Sequence, residues 1–187
     1  MNLLETTDLN TIVVDIKDDW GNITCNFKTK DEDIIYATNS VFDAEEFVKK
    51  MHDKNVYLIG RITTFKDSII TEKHPDWGFK KSDGALWKNG SGEAFMNPFV
   101  KEVRDYNIKI AELAAEAGFD EIQFDYIRFP EAFETFEHEL TYSRGDFAKG
   151  NMSEGDMRIE AISSFVKRAR EELQSYNTPT GIDVFGY

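Results

Sequence analysis

Four short apolar runs alternate with segments of helical pattern along this chain of 187 residues. Between the runs, apolar residues recur at helical spacing and predict helices over about 42–53, 97–117 and from 153 onward. The runs themselves predict strands: "TIVVDIK" at 11–17, "NVYLIGRITTF" at 55–65, "GFDEIQFDYIRFP" at 118–130 and "TGIDVF" at 180–185. A βαβαβαβ order predicts an α/β fold with a parallel sheet and right-handed crossovers.

The ends of the predicted helices carry their own signals. Asn97 and Pro98 predict the start of the second helix, as N-cap and first-turn residue, and Gly118 predicts its end. Ser153 and Asp156 predict a capping box at the start of the third helix. The apolar stripe of that helix is predicted to comprise Ile159, Ile162, Phe165, Val166, Ala169 and Leu173.

Each predicted strand has one apolar face, because side chains two positions apart point the same way. In the third strand, Ile122, Phe124 and Tyr126 form the predicted core face. The opposite faces of the strands become polar toward their carboxyl ends, where they carry Asp15, Lys17, Arg61, Gln123, Asp125 and Asp183. Buried ionisable groups are costly unless they are paired, so charges at one level of four strands predict a shared site.

The number of strands leaves the architecture open. A complete (β/α)8 barrel usually needs about 250 residues. Four strands in 187 residues therefore fit either a small open sheet or about half of such a barrel. In a barrel, the polar face would be the interior, and active sites lie at the carboxyl ends of the strands.

The chain is acidic, with 22 basic and 35 acidic residues and a formal net charge of -13. That balance argues against binding to nucleic acid, whose phosphates require a basic surface, and against an anionic membrane surface. No run of about 18 apolar residues is present, so no membrane insertion is expected. The N-terminal residues do not resemble a signal peptide, and a single cysteine, Cys25, excludes an intrachain disulfide or a thiolate metal cluster.

Asp125 and Asp183 are the candidate catalytic pair. They lie at the ends of two predicted strands, and neighbouring strands are about 4.8 Å apart. Glycoside hydrolysis needs two carboxyl groups, about 5–5.5 Å apart for retention of configuration and about 6.5–9.5 Å apart for inversion. The sequence leaves both separations open.

Eight other residues are candidates for substrate binding: the polar Asp15, Lys17, Arg61, Gln123 and Arg128, and the aromatic Tyr126, Trp77 and Trp87. The polar side chains would orient the substrate and tune the two carboxylates. The two tryptophans lie in the long segment after the second strand, where sugar rings could stack on them. Arg128 has a structural alternative, which is to anchor the loop that follows the third strand.

Two other functions stay open on the residues alone. Asp15, Asp125 and Asp183 could hold a magnesium ion, because hard cations take carboxylate ligands. A carbohydrate-binding domain without catalysis is the second alternative. The three histidines lack metal-ligand spacing, and no phosphate loop or nucleophile elbow is present, so apart from the magnesium alternative no metal or other cofactor is expected.

The chain resembles a bacterial glycosyl hydrolase family that is related to the α-amylase-like TIM-barrel glycosidases. The segments "VVDIKDDWG", "GRITTFKD", "GFDEIQFDYIRFP" and "GIDVFGY" carry the resemblance in the same order, over nearly the whole chain. The resemblance implies one domain over 1–187 that covers about strands two to five of a (β/α)8 barrel. It also implies that Asp125 matches the nucleophile position at the end of barrel strand four. Asp183 stands near the acid/base position, where a glutamate is usual.

The same resemblance implies a carbohydrate substrate and an extracellular or cell-surface location. A partial barrel of this kind would leave two open sheet edges and exposed apolar surface. Because unpaired strand edges and apolar patches favour association, self-association through these edges is expected.

Overall fold

A six-stranded, mostly parallel sheet forms the centre of the molecule in a computed structural model, which describes residues 4, 6–148 and 151–184. The sheet has the order β3-β2-β1-β4-β6-β8, and β5 pairs with β7 in a separate two-stranded sheet. The strands are β1 (Thr11–Lys17), β2 (Ile23–Asn26), β3 (Thr38–Asp43), β4 (Tyr57–Thr63), β5 (Lys80–Lys81), β6 (Glu121–Asp125), β7 (Leu140–Thr141) and β8 (Thr180–Ile182).

Six α-helices are described, and the three longest follow β3, precede β6 and precede β8. They are α1 (Glu32–Ala37), α2 (Ala44–His52), α3 (Ser68–Lys73), α4 (Lys101–Ala117), α5 (Phe133–Phe136) and α6 (Glu154–Leu173). Short 3-10 turns occupy Pro75–Trp77, Glu137–Glu139, Gly145–Phe147 and Gln174–Tyr176.

The four predicted strands correspond to β1, β4, β6 and β8, and they lie side by side in parallel. The fold is therefore a mixed α/β fold with a mostly parallel sheet, as the alternation of patterns predicts. The strands β2 and β3 were not predicted. The Asp18 carboxylate accepts hydrogen bonds of 2.8 to 3.0 Å from three successive N–H groups at positions 20–22, so the chain reverses and β2 runs antiparallel to β1.

Two of the three predicted helix ends are confirmed. Gly118 ends α4 in the left-handed conformation with a φ of 98°, and the Ser153 hydroxyl accepts a hydrogen bond of 3.1 Å from the N–H of Asp156. The predicted start at Asn97 is wrong, because α4 begins at Lys101. The Asn97 side chain instead accepts from the N–H of Phe99 and donates to a carbonyl oxygen at position 143, so it ties two loops together.

The predicted core face of the sheet is confirmed for β1, for β4 and, as far as Phe124, for β6. Its fully buried members include Ile16, Leu58, Ile62, Ile122 and Phe124, which belong to one apolar cluster with residues of α2, α4 and α6. The opposite face is open: Val13 on β1 is 52% exposed. The predicted stripe of α6 is wrong at Ile159, which is 66% exposed, because only one side of the helix meets the sheet.

A second apolar cluster lies in the long connections after β4 and β6. It is largely aromatic, and its buried members are Phe79, Phe95, Phe99, Phe129, Phe133, Met157 and Ala161. This cluster gives the connections a core of their own, so loops next to the carboxyl ends of the strands are held by packing.

The strands β3 and β8 are the outer strands of the sheet in the described part of the chain. Val41 on β3 is 82% exposed, and Val184, just after β8, is 75% exposed. Self-association through these edges stays a prediction.

Candidate active site

Arg61 on β4 lies at the centre of the polar group at the carboxyl end of the sheet. The register pairs it with Asp15 on β1 and with Gln123 on β6, so the three side chains leave neighbouring strands at one level. Its Nη1 donates to Oδ1 of Asp15 at 2.8 Å. Burial opposes the charged guanidinium, but the hydrogen bonds to Asp15 and Asp125 outweigh that effect and raise the pKa of Arg61.

Asp125, the last residue of β6, is fixed through both carboxylate oxygens. Its Oδ2 accepts hydrogen bonds from Nε of Arg61 at 2.9 Å and from Nη2 at 2.5 Å. Its Oδ1 accepts from the N–H of Tyr126 at 2.6 Å. The side chain stays 24% exposed, so it is both anchored and accessible.

Tyr126 does not continue the core face of β6, as the alternation predicted. It adopts the left-handed conformation with a φ of 49°, which an ordinary side chain seldom takes. The strand therefore ends at Asp125, and the tyrosine ring turns to the same cavity as the carboxylate.

Asp183 follows β8 and lies beside Asp125. The register pairs Phe124 with Ile182, so the two aspartates are the next residues on neighbouring parallel strands. The N–H of Asp183 donates to the carbonyl oxygen of Phe124 at 2.9 Å. Nε2 of Gln123 donates to Oδ1 of Asp183 at 2.8 Å, which orients the carboxylate.

The predicted catalytic pair, Asp125 and Asp183, lines a single cavity of about 510 Å³. Asp15 and Gln123 are hydrogen-bonded to residues that line the cavity, Asp15 to Arg61 and Gln123 to Asp183. Its lining consists of Arg61, Asp125, Tyr126, Ile127, Arg128, Asp183 and Val184.

Lys17 does not belong to this site, and its predicted role in substrate binding is wrong. Its side chain is fully buried, and Nζ lies 2.8 Å from Oδ2 of Asp67. It also donates to the carbonyl oxygen of Thr64 and to Oδ1 of Asn107, both at 3.1 Å. A register shift between Asp15 and Lys17 explains the difference, because a bulge breaks the alternation of faces.

The two candidate tryptophans have different positions. Trp77 stacks on the ring of His74, with centroids 4.3 Å apart, and borders neither this cavity nor the one beside it, so the structure places it outside the candidate site. Trp87 lines the neighbouring cavity of about 460 Å³, which shares Tyr126 and Arg128 with the first. The guanidinium of Arg128 lies 5.3 Å from the centre of the Tyr126 ring.

Two charged residues of the site were missed from the sequence. Asp19 accepts hydrogen bonds from Nη2 of Arg61 at 3.3 Å and from the hydroxyl of Thr63 at 2.9 Å. Lys66 pairs with Glu93 at 2.8 Å. Both lie in loops just past a strand, where strand alternation no longer indicates direction.

The magnesium site considered above does not fit the structure. The Arg61 guanidinium bridges Asp15 and Asp125 and occupies the space between their carboxylates. Across residues 4, 6–148 and 151–184, no group of three or more His, Cys, Asp or Glu side chains is arranged to hold a metal ion. Over the same residues, no helix has the length and apolar character needed to cross a bilayer.

A mostly parallel α/β sheet with carboxylates at its carboxyl edge is consistent with a glycosidase-like partial barrel domain. The chain belongs to the family described as "Putative glycosyl hydrolase domain", whose model matches residues 1–187. The resemblance noted in the sequence is thereby confirmed.

Solved structures have a similar fold. A hypothetical protein from Ruminiclostridium thermocellum is 34% identical, with a TM-score of 0.81 over 98% of this chain and 88% of that one. A noncanonic maltogenic α-amylase, AmyB, from Thermotoga neapolitana is 14% identical, with a TM-score of 0.60 over 98% of this chain. α-L-Fucosidase isoenzyme 2 from Paenibacillus thiaminolyticus is also 14% identical, with a TM-score of 0.66 over 98% of this chain.

This chain spans only 40% of the amylase and 28% of the fucosidase. At 14% identity, the likeness to these two enzymes shows the fold alone. A search of curated proteins gave no significant match.

Proposed function

We propose that this chain is a glycoside hydrolase domain that cleaves glycosidic bonds of a polysaccharide or glycan with Asp125 and Asp183. The observation that carries the proposal is their position on neighbouring strands, in one cavity, with Asp125 anchored by Arg61. The family and the fold support it, since the similar enzymes of known activity named above act on glycosides. We also propose that 1–187 is a single domain in which β1, β4, β6 and β8 correspond to about strands two to five of a (β/α)8 barrel.

In this proposal, Asp183 donates a proton to the glycosidic oxygen as the bond to the anomeric carbon breaks. Asp125 either attacks the anomeric carbon or takes a proton from the water that attacks it. In both cases water is consumed, the leaving sugar gains a hydroxyl group, and the cleaved sugar becomes a hemiacetal. Gln123 orients Asp183 through its hydrogen bond of 2.8 Å.

Arg61 has the task of holding Asp125. Its two hydrogen bonds fall on Oδ2, while Oδ1 carries the single bond from a backbone N–H. A carboxylate offers about four lone-pair sites, so Oδ1 retains capacity for a bond to the substrate. A fixed carboxylate reacts faster than a mobile one, because its orientation is established before the substrate binds.

The test is hydrolysis of a panel of glycans and aryl glycosides by the wild type and by Asp125→Asn, with release of reducing sugar or phenol as the readout. The variant keeps the shape of the side chain but loses the carboxylate, so we expect activity to fall at least about 100-fold with little loss of stability. Asp53→Asn is the matched control, because Asp53 is an exposed residue at the end of α2 that pairs with Lys49.

Full activity in Asp125→Asn would overturn the assignment. Glycan binding by the wild type without any turnover would assign the chain to carbohydrate binding instead. Sodium azide adds a further criterion with Asp125→Ala: a glycosyl azide with the anomeric configuration opposite to that of the substrate would identify Asp125 as the residue that faces the anomeric carbon.

A further inference from the structure

The second cavity lies beside the proposed catalytic cavity, and Tyr126 and Arg128 border both. The two cavities have similar volumes, about 510 and 460 Å³. Because the same two side chains bound both spaces, the second cavity is a neighbouring surface onto which a ligand in the first can extend.

One wall of the second cavity is aromatic. Trp87 stacks on Phe136 with ring centroids 5.1 Å apart and an angle of 21° between the planes. Phe136 in turn packs edge-on against the buried Phe133, at 5.7 Å. Packing therefore fixes the half-buried indole, and aromatic rings offer flat apolar area at a low cost in conformational entropy.

The other wall presents polar groups that are already held in place. Oε1 of Glu93 pairs with Nζ of Lys66 at 2.8 Å, and its Oε2 accepts from Nδ2 of Asn89, also at 2.8 Å. These two hydrogen bonds lower the pKa of Glu93 below its usual value. A fixed carboxylate, a fixed ammonium and an amide next to an aromatic surface suit a ligand with several hydroxyl groups and an apolar ring face.

Tyr126 joins the two cavities in a constrained conformation. Its φ of 49° is costly for a side chain of this size, and Nζ of Lys66 lies 4.8 Å from the centre of its ring. The cation lies against a ring that borders both cavities, so the boundary between them is held in place.

We propose that the second cavity is a subsite for a further sugar unit of the chain whose bond is cleaved in the first. The substrate class is then an oligosaccharide or polysaccharide that spans both cavities, rather than a single sugar with a small leaving group. The inference rests on the proposed function, because the second cavity is a subsite only relative to a bond that is cleaved in the first. Binding of the second sugar unit can be measured without hydrolysis.

The experiment uses Asp125→Asn as the background, so that ligands are not consumed. Calorimetric titration compares glucose, N-acetylglucosamine and the malto-, cello- and chito-oligosaccharides of two to six units. We expect at least one series to bind about tenfold more tightly once it contains a second unit. Trp87→Ala in the same background should remove this gain, while the matched control Trp77→Ala should retain it.

Glu93→Gln is a second variant that keeps the shape of the cavity and removes its carboxylate, and it should reduce the same gain. The inference is overturned if no series binds more tightly than its monosaccharide, or if Trp87→Ala and Glu93→Gln both keep the full gain. If the wild type hydrolyses a glycan but no oligosaccharide binds more tightly than its monosaccharide, the subsite is ruled out and the hydrolase proposal stands. If a gain in affinity depends on Trp87 but the wild type hydrolyses nothing, the second cavity binds sugar and the hydrolase proposal is ruled out.

Discussion

Arg61 donates two hydrogen bonds to a single oxygen of Asp125, Oδ2, from the neighbouring strand of the sheet. The same guanidinium donates to Asp15 and Asp19, so one cation holds three carboxylates at the carboxyl end of β1, β4 and β6. Without it, three negative charges would face one another across neighbouring strands. The arginine therefore makes this arrangement of acidic residues compatible with a folded sheet.

We expect Arg61→Lys to lower kcat/KM about 10- to 100-fold, because a single ammonium cannot reproduce the planar fork that fixes Asp125. Hydrolysis of the best substrate of the wild type is the measurement. Arg170→Lys, at an exposed position on α6, is the matched control. Wild-type kcat/KM in Arg61→Lys would show that the orientation of Asp125 does not depend on the fork.

The alternation of side chains in regular strands predicted much of this site. Arg61 and Asp125 were found this way, because β4 and β6 stay regular through the residues concerned. Lys17 was placed wrongly, because a bulge in β1 moves it to the buried side. Tyr126 was placed wrongly because the strand ends one residue earlier.

The residues that alternation could not place are those of the loops. Asp19 and Lys66 reach the site from the turns after β1 and β4, and a turn has no fixed period. The reversal of the chain into the added strand β2 depends on hydrogen bonds to the Asp18 carboxylate. Such bonds fix the direction of the chain locally and leave no periodic pattern in the sequence.

The buried pair of Lys17 and Asp67 gives a stability prediction. Both side chains are fully inaccessible, and burial lowers the pKa of the lysine and raises that of the aspartate. Lys17→Met fills similar space but leaves Asp67 without its cation, so we expect a loss of about 3–5 kcal/mol in the free energy of unfolding. Denaturation by urea is the measurement.

The double variant Lys17→Met, Asp67→Asn should be more stable than Lys17→Met alone, because no charge is then buried without a partner. The asparagine oxygen can still accept the hydrogen bond from the N–H of Ile70, which Asp67 caps at 2.8 Å. A double variant no more stable than Lys17→Met would show that packing, and not the unpaired charge, determines the cost.

Because of the buried thiol of Cys25, we expect the free energy of unfolding to fall at high pH. Its thiol is fully buried in β2, and burial raises its pKa to about 12. An unfolded cysteine has a pKa of about 8.5, so the folded state holds the proton more tightly. The stabilisation is complete below the unfolded pKa and is lost as the pH rises toward the folded pKa.

The measurement is the free energy of unfolding of the wild type and of Cys25→Ala, from about pH 8.5 upward. We expect a steeper loss in the wild type, since both proteins share every other titrating group. Ellman's reagent should leave the folded wild type unlabelled and label it after unfolding. Parallel curves, or rapid labelling of the folded protein, would contradict the burial of the thiol.

Gly118 and Gly155 form a matched pair for backbone effects at the two ends of helices. Gly118 has a φ of 98°, and a Cβ there would lie 3.1 Å from Cγ1 of Val48. Gly155 lies in the first turn of α6, and a Cβ there would make only an ordinary contact, at 3.8 Å, with the hydroxyl of Ser153. The same substitution should therefore have opposite effects on stability at the two positions.

Gly118→Ala should lower the free energy of unfolding by about 1–2 kcal/mol, because alanine is strained in the left-handed conformation. Gly155→Ala should raise it by about 0.4–1 kcal/mol, because alanine loses less backbone freedom on folding into a helix. Urea denaturation of both variants under one set of conditions decides the matter. A destabilised Gly155→Ala would mean that the first turn of α6 is not helical in solution, and a neutral Gly118→Ala would mean that α4 ends differently.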